Sequence, residues 1–167
     1  MFLTIRSFAG AVLIASLLVL GTALLSQYWG GLLPCELCLL QRWPWWIAIG
    51  IAAAAWLIGD RLALAIPALL LAIVFLTGAG IAFYHVGVEQ HWFAGPTACT
   101  SAVGGNATTV EELKRQLMGT PPVLCDRIQW SLFGISLAGW NLVASLLLAA
   151  FCAWTAMQAT SRRRVPA

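Results

Sequence analysis

Cys35-Glu36-Leu37-Cys38 sets two thiols two residues apart, and two further cysteines, Cys99 and Cys125, stand in a later, more polar stretch. A disulfide between Cys35 and Cys38 would close a very small ring. Such a bridge gains little from loop-closure entropy and is often strained, so it staples poorly and exchanges electrons well. A helix N-terminus lowers a nearby thiol's pKa through its dipole, and a neighbouring cation lowers it further. Pro34 precedes the motif, and Arg42 follows Cys38 by one helical turn. If a helix begins near Cys38, that spacing puts the guanidinium on the same face. Pro44 equally suits the first turn of a helix that starts near Gln41. The residues leave both starts open.

Other chemistry is open to these thiols. Cys-x-x-Cys is half of a zinc site when another cysteine or a histidine completes it. No second close pair is present, so no metal site is expected. A Cys99–Cys125 bridge would enclose residues 100–124 and, taken alone, reads as a structural staple worth about 3 kcal/mol or more in the chain-entropy model. The two pairs together read differently, because disulfides on one face of a membrane can exchange by thiolate attack. Cys152, inside an apolar run, is expected to be an inert, small apolar side chain.

The elements that must position these residues are membrane helices. The chain is 61% hydrophobic and 9% charged, where soluble domains carry roughly 25% charge. Its mean hydropathy is +0.88. About 20 apolar residues span the hydrocarbon, and four stretches qualify, near 8–27, 43–59, 62–84 and 132–157. Backbone groups in lipid must be paired internally, so the spans are helices. The expected fold is therefore a single all-α membrane domain over 1–167, a bundle of four transmembrane helices with outward loops near 28–42 and 85–131. Asp60-Arg61 makes the tight turn between the second and third spans. The first span resembles a signal peptide at Arg6 and Gly21-Thr22-Ala23, but its apolar run is long and is expected to stay as a helix.

With four spans, Arg6, Arg61 and Arg162–Arg164 share one side, and Arg42, Lys114, Arg115 and Arg127 the other. Three of the latter four lie in the long second loop, so the termini are expected to be cytoplasmic. Trp29, Trp43, Trp45, Trp46, Trp92, Trp130 and Trp140 gather near the outer ends, and Trp56 and Trp154 near the inner ones, as interfacial belts do. In the second loop Thr108 or Thr109 can cap a helix through Leu117 that lies on the membrane surface. The C-terminal arginines are too short a run for a nucleic-acid face and suit contact with anionic lipid. No nucleic-acid partner is expected.

These residues resemble the disulfide bond formation protein B family. The Cys35-Glu-Leu-Cys38-Leu-Leu-Gln41-Arg42 segment is similar to the family's first outer loop. Pro96-Thr97-Ala98-Cys99 and Cys125-Asp-Arg-Ile-Gln-Trp130-Ser-Leu-Phe-Gly134 are similar to its second. The likeness covers nearly the whole chain, including helix count and cysteine order.

The resemblance implies an enzyme of the bacterial inner membrane with its redox cysteines in the periplasm. Such an enzyme reoxidises a thioredoxin-like dithiol protein of the DsbA type and passes two electrons to ubiquinone or menaquinone. It implies that Cys99 forms the mixed disulfide with that partner and that Cys125 exchanges with Cys35. Cys38 would bear the thiolate beside the quinone, with Arg42 supporting quinone binding. A histidine near the outer end of the third helix completes the family's quinone site. His85, which ends the apolar span beside Tyr84, fits better than His91, and Glu89 and His91 are expected at a solvated interface. Gln41 departs from a carboxylate that other members carry, and no role attaches to it. Two rival readings remain. One is a structural four-helix membrane protein with two stapling disulfides. The other is a haem or metal carrier through His85 and His91, whose spacing puts them on different helical faces.

Overall fold

The computed structural model describes residues 4–96, 110 and 124–163. Cys99 and the expected surface helix from Thr108 or Thr109 to Leu117, Val110 apart, lie outside them. Four helices are long and apolar enough to cross a membrane, and the chain is a multi-pass, four-helix membrane protein.

Helix α1 (Ile5–Tyr28) starts at Thr4, whose hydroxyl oxygen accepts from the Ser7 N–H at 3.2 Å. It runs unbroken through Gly21–Ala23. A short helix, α2 (Glu36–Leu40), precedes α3 (Trp43–Ile58), with Pro44 in the first turn of α3. Both starts left open by the residues are therefore used: Cys35 caps the first and Arg42 the second. A 3-10 turn at Gly59–Arg61 closes the hairpin between the second and third spans, and Gly59 takes φ +63° there, a conformation glycine adopts without steric cost.

Helix α4 (Ala65–Glu89) continues past Tyr84, so His85 lies inside it rather than beyond its end. Its terminator is a Schellman turn: the His91 N–H bonds to the Val88 carbonyl at 3.1 Å and the Trp92 N–H to Gly87 at 2.7 Å. His91 takes the left-handed φ of 59° that this motif needs. The last helix, α5 (Leu137–Arg163), begins later than the hydropathy suggests. Before it, β1 (Ser131–Leu132) pairs antiparallel with β2 (Ile135–Ser136) across Phe133 and Gly134, both at positive φ. Apolar residues at 132–136 thus serve a hairpin, which hydropathy alone does not distinguish from helix.

Neighbouring helices meet through small residues. Ala48, Ala52 and Ala55 of α3 and Ala68, Ala72, Ala79 and Ala82 of α4 are buried, while Leu18, Leu57 and Leu69 face outward. Lipid is as apolar as leucine, so close backbone approach and van der Waals contact hold the bundle. A Cβ on Gly78 would stand 3.2 Å from the Pro44 Cβ, which shows how near α4 comes to α3. Phe8, Val12, Leu71 and Phe75 fill the centre. Packing runs α1 on α3, α3 on α4 and α4 on α5. The outer helices α1 and α5 meet at Phe8 and Phe151, ring centroids 5.6 Å apart. Trp45 departs from the expected aromatic belt. It is 2% exposed and packs on Phe75, because its indole N–H has a partner on α5.

Candidate functional site: a dithiol at the mouth of a cavity between helices

Cys35 is the N-cap of α2, and its Sγ accepts from the Cys38 N–H at 3.2 Å. That turn folds the two side chains together. Their sulfurs lie 2.8 Å apart, with the Cys35 thiol donating to Cys38. Cys38 is therefore the sulfur placed to carry negative charge. The bond to Cys38 first, and then burial, push the Cys35 thiol well above its ordinary range. Cys125 is buried in the same small cluster, with Leu37 and Val88 packed around Cys35. Three of the four sequence-predicted redox cysteines thus meet, and the fourth, Cys99, lies outside the described residues. Cys152 sits in the core of the bundle, away from them.

Cys38 opens onto a cavity of about 340 Å³. Its walls are α1 at Leu20 and Ala23, α5 at Ala138 and Asn141, and the indoles of Trp45 and Trp140. Arg42 and His85, the two cofactor-binding residues expected from sequence, both line it. The Arg42 guanidinium donates to the Gln27 Oε1 at 2.6 Å, which ties α3 to the end of α1. His85 is 3% exposed, and its Nε2 stands 3.6 Å from the Cys35 Sγ. His91 is exposed and belongs to the turn that ends α4. Of the two histidines, His85 is thus the one that lines the cavity.

Two neighbours of His85 were given no site role from sequence. The Glu89 side chain is 7% exposed, not solvated as expected. One turn after His85, it lies 3.9 Å from Nε2 and accepts from the Ser136 hydroxyl at 2.5 Å. The β1–β2 hairpin delivers Ser136, and hydropathy gave no hint of it. Gln41, left without a role, is 5% exposed and bonds to the His85 Nδ1 at 2.5 Å. Asn141 of α5 donates to the Gln41 Oε1. An amide inside an apolar span was the available signal, since a buried polar group must be paired.

This arrangement can hold two kinds of group. Cys35, Cys38 and His85 bring three potential metal-ligand atoms within 4.8 Å of one another. The cavity, apolar with a few convergent polar groups, fits a mostly apolar small molecule.

The comparisons agree with one another. The family model described as disulfide bond formation protein DsbB matches residues 5–155. The chain is 30% identical over 162 residues to disulfide bond formation protein B of Herminiimonas arsenicoxydans, covering 90% of this chain and 94% of that one. It is 34% identical over 139 residues to the protein of the same name from Methylococcus capsulatus, covering 80% and 82%. For the namesake from Acinetobacter baumannii the figures are 30% over 163 residues and 92% of each chain. No solved structure matches the chain significantly. Sequence along nearly the whole chain, four membrane helices and a dithiol beside a cavity thus lead to one conclusion: this chain belongs to the disulfide bond formation protein B family.

Proposed function

We propose that this membrane disulfide-forming protein is a thiol–quinone oxidoreductase. It reoxidises a periplasmic thioredoxin-like dithiol protein of the DsbA type and passes the electrons to ubiquinone or menaquinone. The observation that carries the reading is the position of Cys38, which accepts a hydrogen bond from Cys35 and faces an apolar cavity also lined by Arg42 and His85. The chain resides in the bacterial inner membrane as one domain. Both termini are cytoplasmic, and the cysteine-bearing loops are periplasmic.

Cys99 takes the mixed disulfide with the partner, and Cys125 carries exchange to Cys35. The packing of Cys125 beside Cys35 supports that second step. Attack of the Cys125 thiolate on Cys35 forms a Cys35–Cys125 bond and releases Cys38 as the leaving thiolate. Attack of the Cys99 thiolate on Cys125 then restores the Cys99–Cys125 bond and frees Cys35, which once protonated donates to Cys38. In the closing step the reduced pair, Cys35 thiol and Cys38 thiolate, loses two electrons and forms the Cys35–Cys38 bond. The acceptor takes those electrons with the Cys35 proton and one further proton from water. A quinone, when bound, supplies that two-electron acceptor. Arg42 holds positive charge at the cavity wall where negative charge builds, and a guanidinium at this depth needs such a partner. Light packing between α1 and α5 leaves room for the cavity between these two membrane helices, and a quinone dissolves in the membrane.

The test is quinone absorbance in detergent, with purified protein and a reduced DsbA-type partner. Bleaching should require both proteins and vanish in Cys38→Ser, which keeps the fold. Folded wild-type protein that bleaches neither ubiquinone nor menaquinone with an active partner would return the assignment to a stapled structural protein.

A further inference from the structure

A continuous chain of hydrogen bonds reaches His85 from the other helices, and its polarity is set at one end. The Trp45 indole can only donate, and it donates to the Asn141 Oδ1 at 2.9 Å. The Ser145 hydroxyl points at the same oxygen from 3.5 Å. Asn141 must therefore turn its NH2 toward Gln41, where it meets the Oε1. Gln41 must then turn its own NH2 toward His85, where Nε2 of the amide stands 2.5 Å from the ring Nδ1. A ring nitrogen that accepts carries no proton, so in the neutral imidazole the proton sits on Nε2. That nitrogen faces the Cys35 Sγ at 3.6 Å and the Glu89 Oε1 at 3.9 Å, and the Cys125 backbone carbonyl is a further hydrogen-bond partner of the ring; all three can accept.

The geometry points to a tautomer lock: Trp45, Asn141 and Gln41 hold His85 protonated at Nε2, as a fixed donor facing Cys35, Glu89 and the Cys125 backbone. The three are positioning residues, and this inference deepens the thiol–quinone reading on which it rests. Two consequences follow. With Nε2 already protonated, His85 is not the base that removes the Cys35 proton. Instead it stabilises negative charge on Cys35 whenever that sulfur attacks or leaves. The lock also removes the ring lone pair that would face the two sulfurs. A metal at Cys35, Cys38 and His85 would therefore have to displace the Nε2 proton, since a metal needs an unprotonated nitrogen.

The chain has two histidines, so 15N-histidine labelling of the full protein in detergent gives a spectrum that a His91→Gln variant assigns. In reduced protein at neutral pH, without quinone or partner, His85 should show one neutral form, with Nε2 protonated and Nδ1 a hydrogen-bonded acceptor. Gln41→Glu presents a carboxylate that can only accept, so Nδ1 should become protonated. Gln41→Met keeps the volume and should move Nδ1 to the position of an acceptor with no donor. It serves if the glutamate variant does not fold. A proton on Nδ1 in the wild type would overturn the lock. So would a Nδ1 signal unchanged in Gln41→Glu or, where that variant does not fold, in Gln41→Met. The readout needs no turnover: a wild type that shows the expected spectrum but does not bleach quinone supports the lock and overturns the functional reading.

Discussion

Replacing Gly87 with alanine should release the segment that leads from α4 toward Cys99. Gly87 sits three residues from the C-cap of α4, and its carbonyl accepts both the Trp92 N–H at 2.7 Å and the Phe93 N–H at 3.2 Å. The Phe93 ring folds back over the glycine. It stacks on Tyr84 with centroids 5.9 Å apart and meets the edge of Phe83 at 6.0 Å. An added Cβ would overlap two carbons of that ring, far inside contact distance, so the ring has to leave. Phe93 is 41% exposed where it lies, and losing its buried part costs about 1–2 kcal/mol. The lost aromatic stack adds about 1 kcal/mol. Alanine returns about 0.5–1 kcal/mol through helix propensity. The balance is about 1.5 kcal/mol against the docked segment, which corresponds to about a tenfold rise in local opening. Amide hydrogen exchange reads this directly. Trp92 and Phe93 should lose about tenfold in protection, while α1 and α3 keep theirs. In turnover assays the step with the dithiol partner should slow, because the segment that precedes Cys99 in the chain is held less firmly at Trp92 and Phe93. Unchanged protection at Trp92 and Phe93 would refute the reasoning.

The two thiols of the reduced motif should alkylate unequally. Cys35 is buried, donates to Cys38 and has its pKa raised, so less of it is thiolate at any pH below that raised value. Peptide mass spectrometry after brief iodoacetamide treatment at pH 7 should find Cys38 labelled at least about tenfold faster, since the thiolate is the nucleophile. Raising the pH through the ordinary thiol range should still leave Cys35 behind, and equal rates would disprove the donor–acceptor assignment. Cys152→Ala should leave quinone bleaching unchanged and lower stability by about 1 kcal/mol, the order expected for a small deletion in a packed core. A large loss of activity would mean that α5 carries chemistry at its centre.

Parts of this protein were legible in the sequence, and each part had a physical cause. The four helices were plain because lipid imposes length and apolarity together, and the Cys-x-x-Cys pair was plain because its spacing has few other uses. Boundaries were less legible. Hydropathy extends through 132–136, yet Gly134 and the positive φ of Phe133 turn that stretch into a hairpin. It ends the third span at Tyr84, yet α4 carries His85 and Glu89 inward because Ser136 and Gln41 pair with them. Trp45 looked like an interfacial anchor by position along the chain. Its burial depends on Asn141, almost a hundred residues away, and no local pattern encodes that pairing. Gln41 stood out only as a departure from a carboxylate, with no role attached, for the same reason: its partners lie across the bundle and are not encoded locally.

The polar chain also explains why the site stands where it does. Each buried amide or imidazole among apolar helices is costly unless both its donors and its acceptors are used. Here one helix supplies the partner of the next: Trp45 from α3, Asn141 from α5, Gln41 at the end of α2 and His85 from α4. Arg42 adds α1 through Gln27. No two helices can present the dithiol, the charge and the cavity together, so the site exists only where the bundle is assembled. Phe8 and Phe151 close α1 against α5, while small alanines at Ala23, Ala138 and Ala144 line the cavity between the same two helices. A bundle packed equally along its length would be more stable, but it would offer Cys38 no room beside it. Filling that space with Ala144→Leu would restore packing between α1 and α5 at the expense of the cavity, which is the trade this arrangement of small residues avoids.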